Sequence, residues 1–269
     1  MNKIFKFELA KKNKYLIQSF LAAIFIYIFS QGIVRVGVIE IIILSVLLVS
    51  SGSLVSHYPG INKLNFLFSI VMPIGVLAGA LLSLYFYPNL GSLFKIVVTF
   101  FFAGMYYMVS LADNIFLVVQ DREETIPLYR VAVTWSQILQ AVVVIPLFAG
   151  IFKLNVSASI QSITIAIISL IFTYYQLWVY RFEPDAKKLS GGEKSYLCFL
   201  SAFIVFVSTF SVSFFPSEDF LRALFSSSIL LFILNYVSAH LKNEITRKMI
   251  FRYLAICIVF LFTLLFFRP

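Results

Sequence analysis

Six polar residues stand where most of this chain is apolar. Asp113 and Asn114 lie together in VSLADNIF, and Arg130, Thr134, Gln137 and Gln140 lie in RVAVTWSQILQ. A carboxylate at a membrane boundary can hold an ion or act as an acid or base, and Arg130 or Arg122 is its nearest candidate counter-charge. Arg130, Thr134, Gln137 and Ala141 recur at i, i+4, i+7 and i+11, the spacing of a single helical stripe, with Gln140 beside it. Two glutamines within three turns are costly in hydrocarbon unless they meet partners or water, so this stripe is expected to face protein. There it either bonds to other helices or lines a polar cavity. The six residues form a candidate binding corner, and none of them is assigned a catalytic role.

Composition says what must position that corner. Of 269 residues, 61% are hydrophobic and 12% charged, where a soluble domain has about a quarter charged. A soluble fold with 31 phenylalanines and 14 tyrosines would expose large apolar patches and aggregate. The bilayer is the natural solvent, and a spanning helix needs about 20 mainly apolar residues. Nine segments qualify, at 15–34, 37–56, 65–87, 94–117, 131–152, 158–180, 196–215, 219–240 and 249–267. The expected fold is all-α, a polytopic transmembrane helical bundle of about nine spans. It forms a single integral membrane domain over residues 1–269, with connections too short for a soluble domain.

The basic residues test this count. With the N-terminus in the cytoplasm, sixteen of the 21 lysines and arginines fall inside; Arg35, Lys95, Lys153, Arg222 and Arg268 fall outside. Cytoplasmic loops retain Lys and Arg, so the N-terminus is expected inside and the C-terminus outside. The lysine-rich start followed by an apolar run resembles a signal peptide. No small-x-small cleavage pattern follows, and the segment reads as an uncleaved first helix. The net charge of +9 is distributed among loops, so nucleic acid is not an expected partner. Residue usage points to a prokaryotic cytoplasmic (inner) membrane.

Within the spans, Pro73 is expected to kink its helix, and Gly75 and Gly79 share a face that lets another helix approach closely. Pro146 bends span five. Asp113 is placed at the inner end of span four. Glu40 is expected to pair with Arg35 or snorkel, and Asn235 to bond to a neighbouring helix. The charged run DREETIPLYR (121–130) reads as a cytoplasmic turn whose Pro127 starts the next helix. Cys198 and Cys257 fall in separate apolar runs, as lone thiols. With two histidines and no intramembrane carboxylate cluster, no metal and no cofactor is expected.

Several catalytic patterns fail on spacing. LSGGE (189–193) resembles the signature sequence of ABC-transporter ATPases, but no G-x-x-x-x-G-K-[ST] accompanies it. Its two glycines are read as breaking a helix and turning the chain. Glu124 and Arg130 are separated by five residues, not the three of the membrane-embedded CAAX proteases. The aspartate-rich loops of intramembrane prenyltransferases and the paired aspartates of presenilin-like proteases are missing, as are H-E-x-x-H and a rhomboid-like G-x-S. Three readings of function remain. The first is a scaffold or subunit of a larger membrane assembly, whose partners are the lipid bilayer and another membrane protein. The second is a small-solute or lipid transporter with Thr134, Gln137 and Gln140 lining a cavity closed by the Pro73 and Pro146 bends. The third is an intramembrane enzyme on a lipid-linked substrate, with Asp113, Asp121, Glu123 and Arg130 converging at the inner surface.

Overall fold

An apolar run in hydrocarbon has no water for its backbone groups, and a helix satisfies them within the segment. The computed structural model describes residues 11–33, 37–57, 63–122 and 126–267, and among these the chain is built from helices. They are α1 (Lys11–Ser30), α2 (Val38–His57), α3 (Lys63–Phe86), α4 (Ser92–Arg122), α5 (Pro127–Phe152), α6 (Ala158–Val179), α7 (Gly191–Val212), α8 (Asp219–Leu241) and α9 (Arg247–Phe266), with one 3-10 turn at Tyr180–Phe182. All nine are long and apolar enough to cross a membrane.

Three ends depart from expectation, each for a local reason. α1 stops at Ser30 because Gly32 takes φ +70 and its N–H bonds back to the Phe29 carbonyl at 3.0 Å, a left-handed stop that favours glycine. α4 does not end near Asp113 but runs on to Arg122. The apolar residues Ile115–Val119 continue its buried face, and the charged pair Asp121 and Arg122 is exposed in its last turn. α7 starts at Gly191 rather than near 196. Ser190 is its N-cap, accepting from the Glu193 N–H at 3.2 Å, while Glu193 accepts from the Ser190 N–H at 2.8 Å. This reciprocal capping box overrides the helix-breaking tendency of the two glycines, which occupy the first helical positions. Pro127 does open α5, as its fixed φ suits a first turn.

The core is centred on α3 against α5 and α6. A side chain at Gly75 would meet Val143 Cγ1 at 2.9 Å, and one at Gly150 would meet Leu82 Cβ at 2.7 Å. Gly79 lies opposite Pro146, whose ring a Cβ there would meet at 3.3 Å. The two proline-bearing helices therefore touch at small residues, the close approach expected of Gly75 and Gly79.

Long-range contacts gather alternate helix ends at one end of the bundle. Tyr15 of α1 donates to Asn114 of α4 at 2.9 Å, and Gln18 donates to Ser56 in the last turn of α2 at 2.5 Å. The Tyr129 hydroxyl donates to the Val179 carbonyl at 2.5 Å, and the Lys187 N–H to the Leu241 carbonyl at 2.7 Å. This is called the basic end below, after the lysines and arginines of residues 180–195 and 242–252, the two connections and the helix starts that follow them. Asn235 bonds within its own helix, donating to Leu231 O at 2.8 Å, instead of to a neighbour. Its amide is satisfied locally, as a polar side chain beside the i−4 carbonyl can be. Arg35, the expected partner of Glu40, and Glu123–Thr125 of the charged turn lie outside the described residues. Cys198 and Cys257 are free and buried.

Candidate functional site

Asp113 is 2% exposed where α4 meets α6. Its Oδ1 accepts from the Tyr175 hydroxyl at 2.6 Å, and that hydroxyl accepts from Ser136 at 3.4 Å. Gln140 is fully buried and donates to Ser136 Oγ at 3.3 Å and to Gln176 Oε1 at 2.6 Å. Gln176 Nε2 donates to Ser238 Oγ at 2.9 Å, which also receives Gln137 Nε2 at 2.8 Å. Gln137 donates as well to the Tyr180 hydroxyl at 3.0 Å. One chain of hydrogen bonds thus ties α4, α5, α6 and α8 together. Two buried acceptors in it, Asp113 Oδ2 and Gln140 Oε1, have no partner among the described residues.

The six residues of the candidate corner separate into three places. Asp113, Gln137 and Gln140 join the network. Asn114 is half-buried and holds Tyr15. Arg130 and Thr134 are exposed; Thr134 donates to the Arg130 carbonyl of its own helix at 3.2 Å. Arg130, with its side chain 68% exposed, lies 3.7 Å from Glu183 and 3.4 Å from Asp185, so it is not the counter-charge of Asp113. Helix geometry accounts for the split. At 3.6 residues per turn, Thr134 and Gln140 stand about 120° apart around α5, and only the Gln137–Gln140 edge faces α6 and α8.

Tyr175, Gln176 and Ser238 were missed as site residues, although Gln176 carries the same signal as Gln137: an amide deep in an apolar run needs a partner. Glu183 was also missed. Its side chain is 3% exposed and lies between Arg130 and Lys242, the residue that caps α8, at 3.7 and 3.9 Å. It clamps the connection after α6 onto α5 and α8.

Three adjoining cavities lie beside α3 and α6, and Tyr180, which accepts from Gln137, lines one of them. A groove of about 590 Å³ runs along α3 and α6 from Phe68 and Tyr174 to Leu82 and Leu154, with Leu147 and Ile151 of α5 behind it. Its lining is apolar apart from Thr164 and the Tyr174 ring. At Phe68 and Tyr174 it meets a second cavity of about 220 Å³, bounded by Asn65, Trp178, Arg181 and Lys194. Leu177, Arg181 and Lys194 are shared in turn with a third, of about 650 Å³, under the 182–189 connection. Phe68 stacks on Tyr174 and on Trp178, with ring centroids 5.4 and 5.3 Å apart, and so forms the step between the apolar groove and the basic cavities.

The described residues form an all-helical protein whose nine helices, each long and apolar enough to cross a membrane, suggest an integral membrane protein. Comparison with family models, with curated proteins and with solved structures finds no match to this chain.

Proposed function

We propose that this protein holds a lipid-like molecule taken laterally from the bilayer and presents its head at the basic end. The observation that carries the reading is that the α3–α6 groove adjoins, across the shared walls Phe68 and Tyr174, cavities lined by Arg181 and Lys194. A membrane-facing groove with one polar end suits an amphiphile better than a small solute, which needs polar contacts along its path. The polar groups of α5 offer no such path: Gln137 and Gln140 donate to side chains of α6, α8 and their own helix. The catalytic reading lacks support too. Asp113 is buried against Tyr175, Asp121 is exposed on the last turn of α4, and Arg130 pairs with Glu183 and Asp185. By the retention of lysine and arginine, the basic end faces the cytoplasm.

The test is native mass spectrometry after extraction in mild detergent. The wild-type protein is expected to carry lipid. Val71→Phe or Ile74→Phe, each filling the groove, should remove it while leaving the fold intact by circular dichroism. A lipid-free wild-type protein would overturn the reading. The membrane-subunit reading draws on α9, which buries only Cys257 and Leu264. A stoichiometric membrane protein co-purifying through α9 would favour it.

A further inference from the structure

The chemistry of the head-binding end can be read more closely, on the footing of the lipid-binding reading above. Arg181 and Lys194 line both basic cavities, and Lys187 and Lys188 line the larger one. The acids nearby are engaged. Glu183 lies between Arg130 and Lys242, and Glu193 pairs with Lys187 at 3.5 Å and caps α7. Arg181, Lys188 and Lys194 make no ion pair among the described residues; Arg181 rests over the Phe182 ring at 5.4 Å. An independent observation points the same way. Trp178 lines the smaller cavity and is 6% exposed, yet its indole N–H has no partner among the described residues. A buried indole N–H ordinarily finds an acceptor.

We infer that the small cavity binds the phosphate of an anionic phospholipid, one whose head group carries no cation of its own to compete with Arg181 and Lys194, with these two as charged donors and the Trp178 N–H as the neutral one. Side chains from two helices and a connecting turn line this one cavity, and donors of this kind suit a tetrahedral anion with several acceptor oxygens. A guanidinium fork and a mobile ammonium are the side chains that recognise such an anion. The groove accommodates the chain. From Phe68 to Leu82 it runs about 21 Å along α3, more than the roughly 15 Å depth of one leaflet's hydrocarbon. The ligand is therefore an anionic lipid, not free phosphate. Tail burial and head-group charge act in adjoining cavities that share Phe68 and Tyr174.

The experiment compares bound-lipid composition by native mass spectrometry after reconstitution in vesicles of equal phosphatidylcholine and phosphatidylglycerol. The wild type should be enriched in the anionic lipid by roughly thirtyfold, the scale set by two basic contacts of about 1 kcal/mol each. Arg181→Gln combined with Lys194→Gln should erase the preference while lipid stays bound. Trp178→Phe should reduce the preference without erasing it. Arg247→Gln combined with Lys248→Gln, which removes charge from the exposed first turn of α9 outside these cavities, should leave it unchanged. Bound lipid without head-group preference, or a preference lost equally in the 247/248 variant, would overturn the inference and leave the lipid-binding reading standing. Displacement of lipid by millimolar inorganic phosphate would also overturn it, by showing a site for the free anion. Absence of bound lipid in every sample would remove both.

Discussion

The Tyr175–Asp113 contact is the shortest inter-helix bond of the buried network that involves a carboxyl group. Asp113 Oδ2 already lacks a described partner, so Tyr175→Phe would leave both carboxyl oxygens unsatisfied. The expected loss is about 1–3 kcal/mol, the penalty for orphaning a buried polar group. Gln137→Ala is a milder change, because Ser238 keeps Gln176 and its own bond to Leu234 O. Its expected loss is about 0.6 kcal/mol, typical of a helix–helix hydrogen bond in a membrane. Thermal unfolding of both variants in the same detergent measures the order, and equal losses would show that Asp113 does not anchor the network. At this scale the sequence was legible only in part. The need of Gln137 and Gln140 for partners follows from their chemistry in hydrocarbon. The identity of those partners does not, since Gln176 and Ser238 lie 36 to 101 residues away in the chain. Arg130 shows the converse limit: sharing a stripe with Gln137 did not give it the same environment, because the buried arc of α5 begins to one side of it.

Among the helices, glycine positions separate packing from propensity. Gly150→Ala places a Cβ 2.7 Å from Leu82 Cβ on α3, and near-rigid atoms on both sides leave little room to relax. The expected destabilisation is about 1–3 kcal/mol. Gly104→Ala meets nothing within 4 Å and should be neutral or stabilising by up to about 1 kcal/mol through helix propensity. Opposite signs of the melting-temperature shift would establish that α3 and α5 approach as closely as described. The start of α7 supplies a second test. Ser190→Ala removes one half of the capping box and should cost about 1 kcal/mol locally. It should be read as faster hydrogen exchange in residues 190–195, the segment that holds Lys194 at the cavity. Helix number and most boundaries were legible because apolar length is a strong signal. The α7 start at Gly191 was not legible, although Ser190 and Glu193 stand at capping-box spacing, because the intervening glycines read as breaking a helix. The extension of α4 to Arg122 was not legible either, because a helix can leave the hydrocarbon and continue among head groups without a change in its apolar pattern.

For the whole molecule, the distribution of charge and the lipid site make one joint demand. Sixteen of 21 basic residues fall on one side only if nine spans alternate from a cytoplasmic N-terminus. An alternating bundle would bring Tyr15, Ser56, Tyr129, Val179 and Leu241 to one end, and their contacts with Asn114, Gln18, Val179, Tyr129 and Lys187 suit that expectation. Arg181 and Lys194 belong to that same end, so the site would open toward the cytoplasmic leaflet, whose anionic lipids carry the negative surface potential that attracts basic segments. Single cysteines at exposed positions test this. Lys188 and Glu244 lie at the basic end and Asn155 in the connection between α5 and α6 at the other, while native Cys198 and Cys257 are buried. In intact cells a membrane-impermeant maleimide should label Asn155→Cys, and should reach Lys188→Cys and Glu244→Cys only after permeabilisation. Labelling of all three from one side would break the nine-span alternation. The reverse pattern would keep the alternation but turn the basic cavities outward, away from the leaflet in which an anionic lipid would reach them.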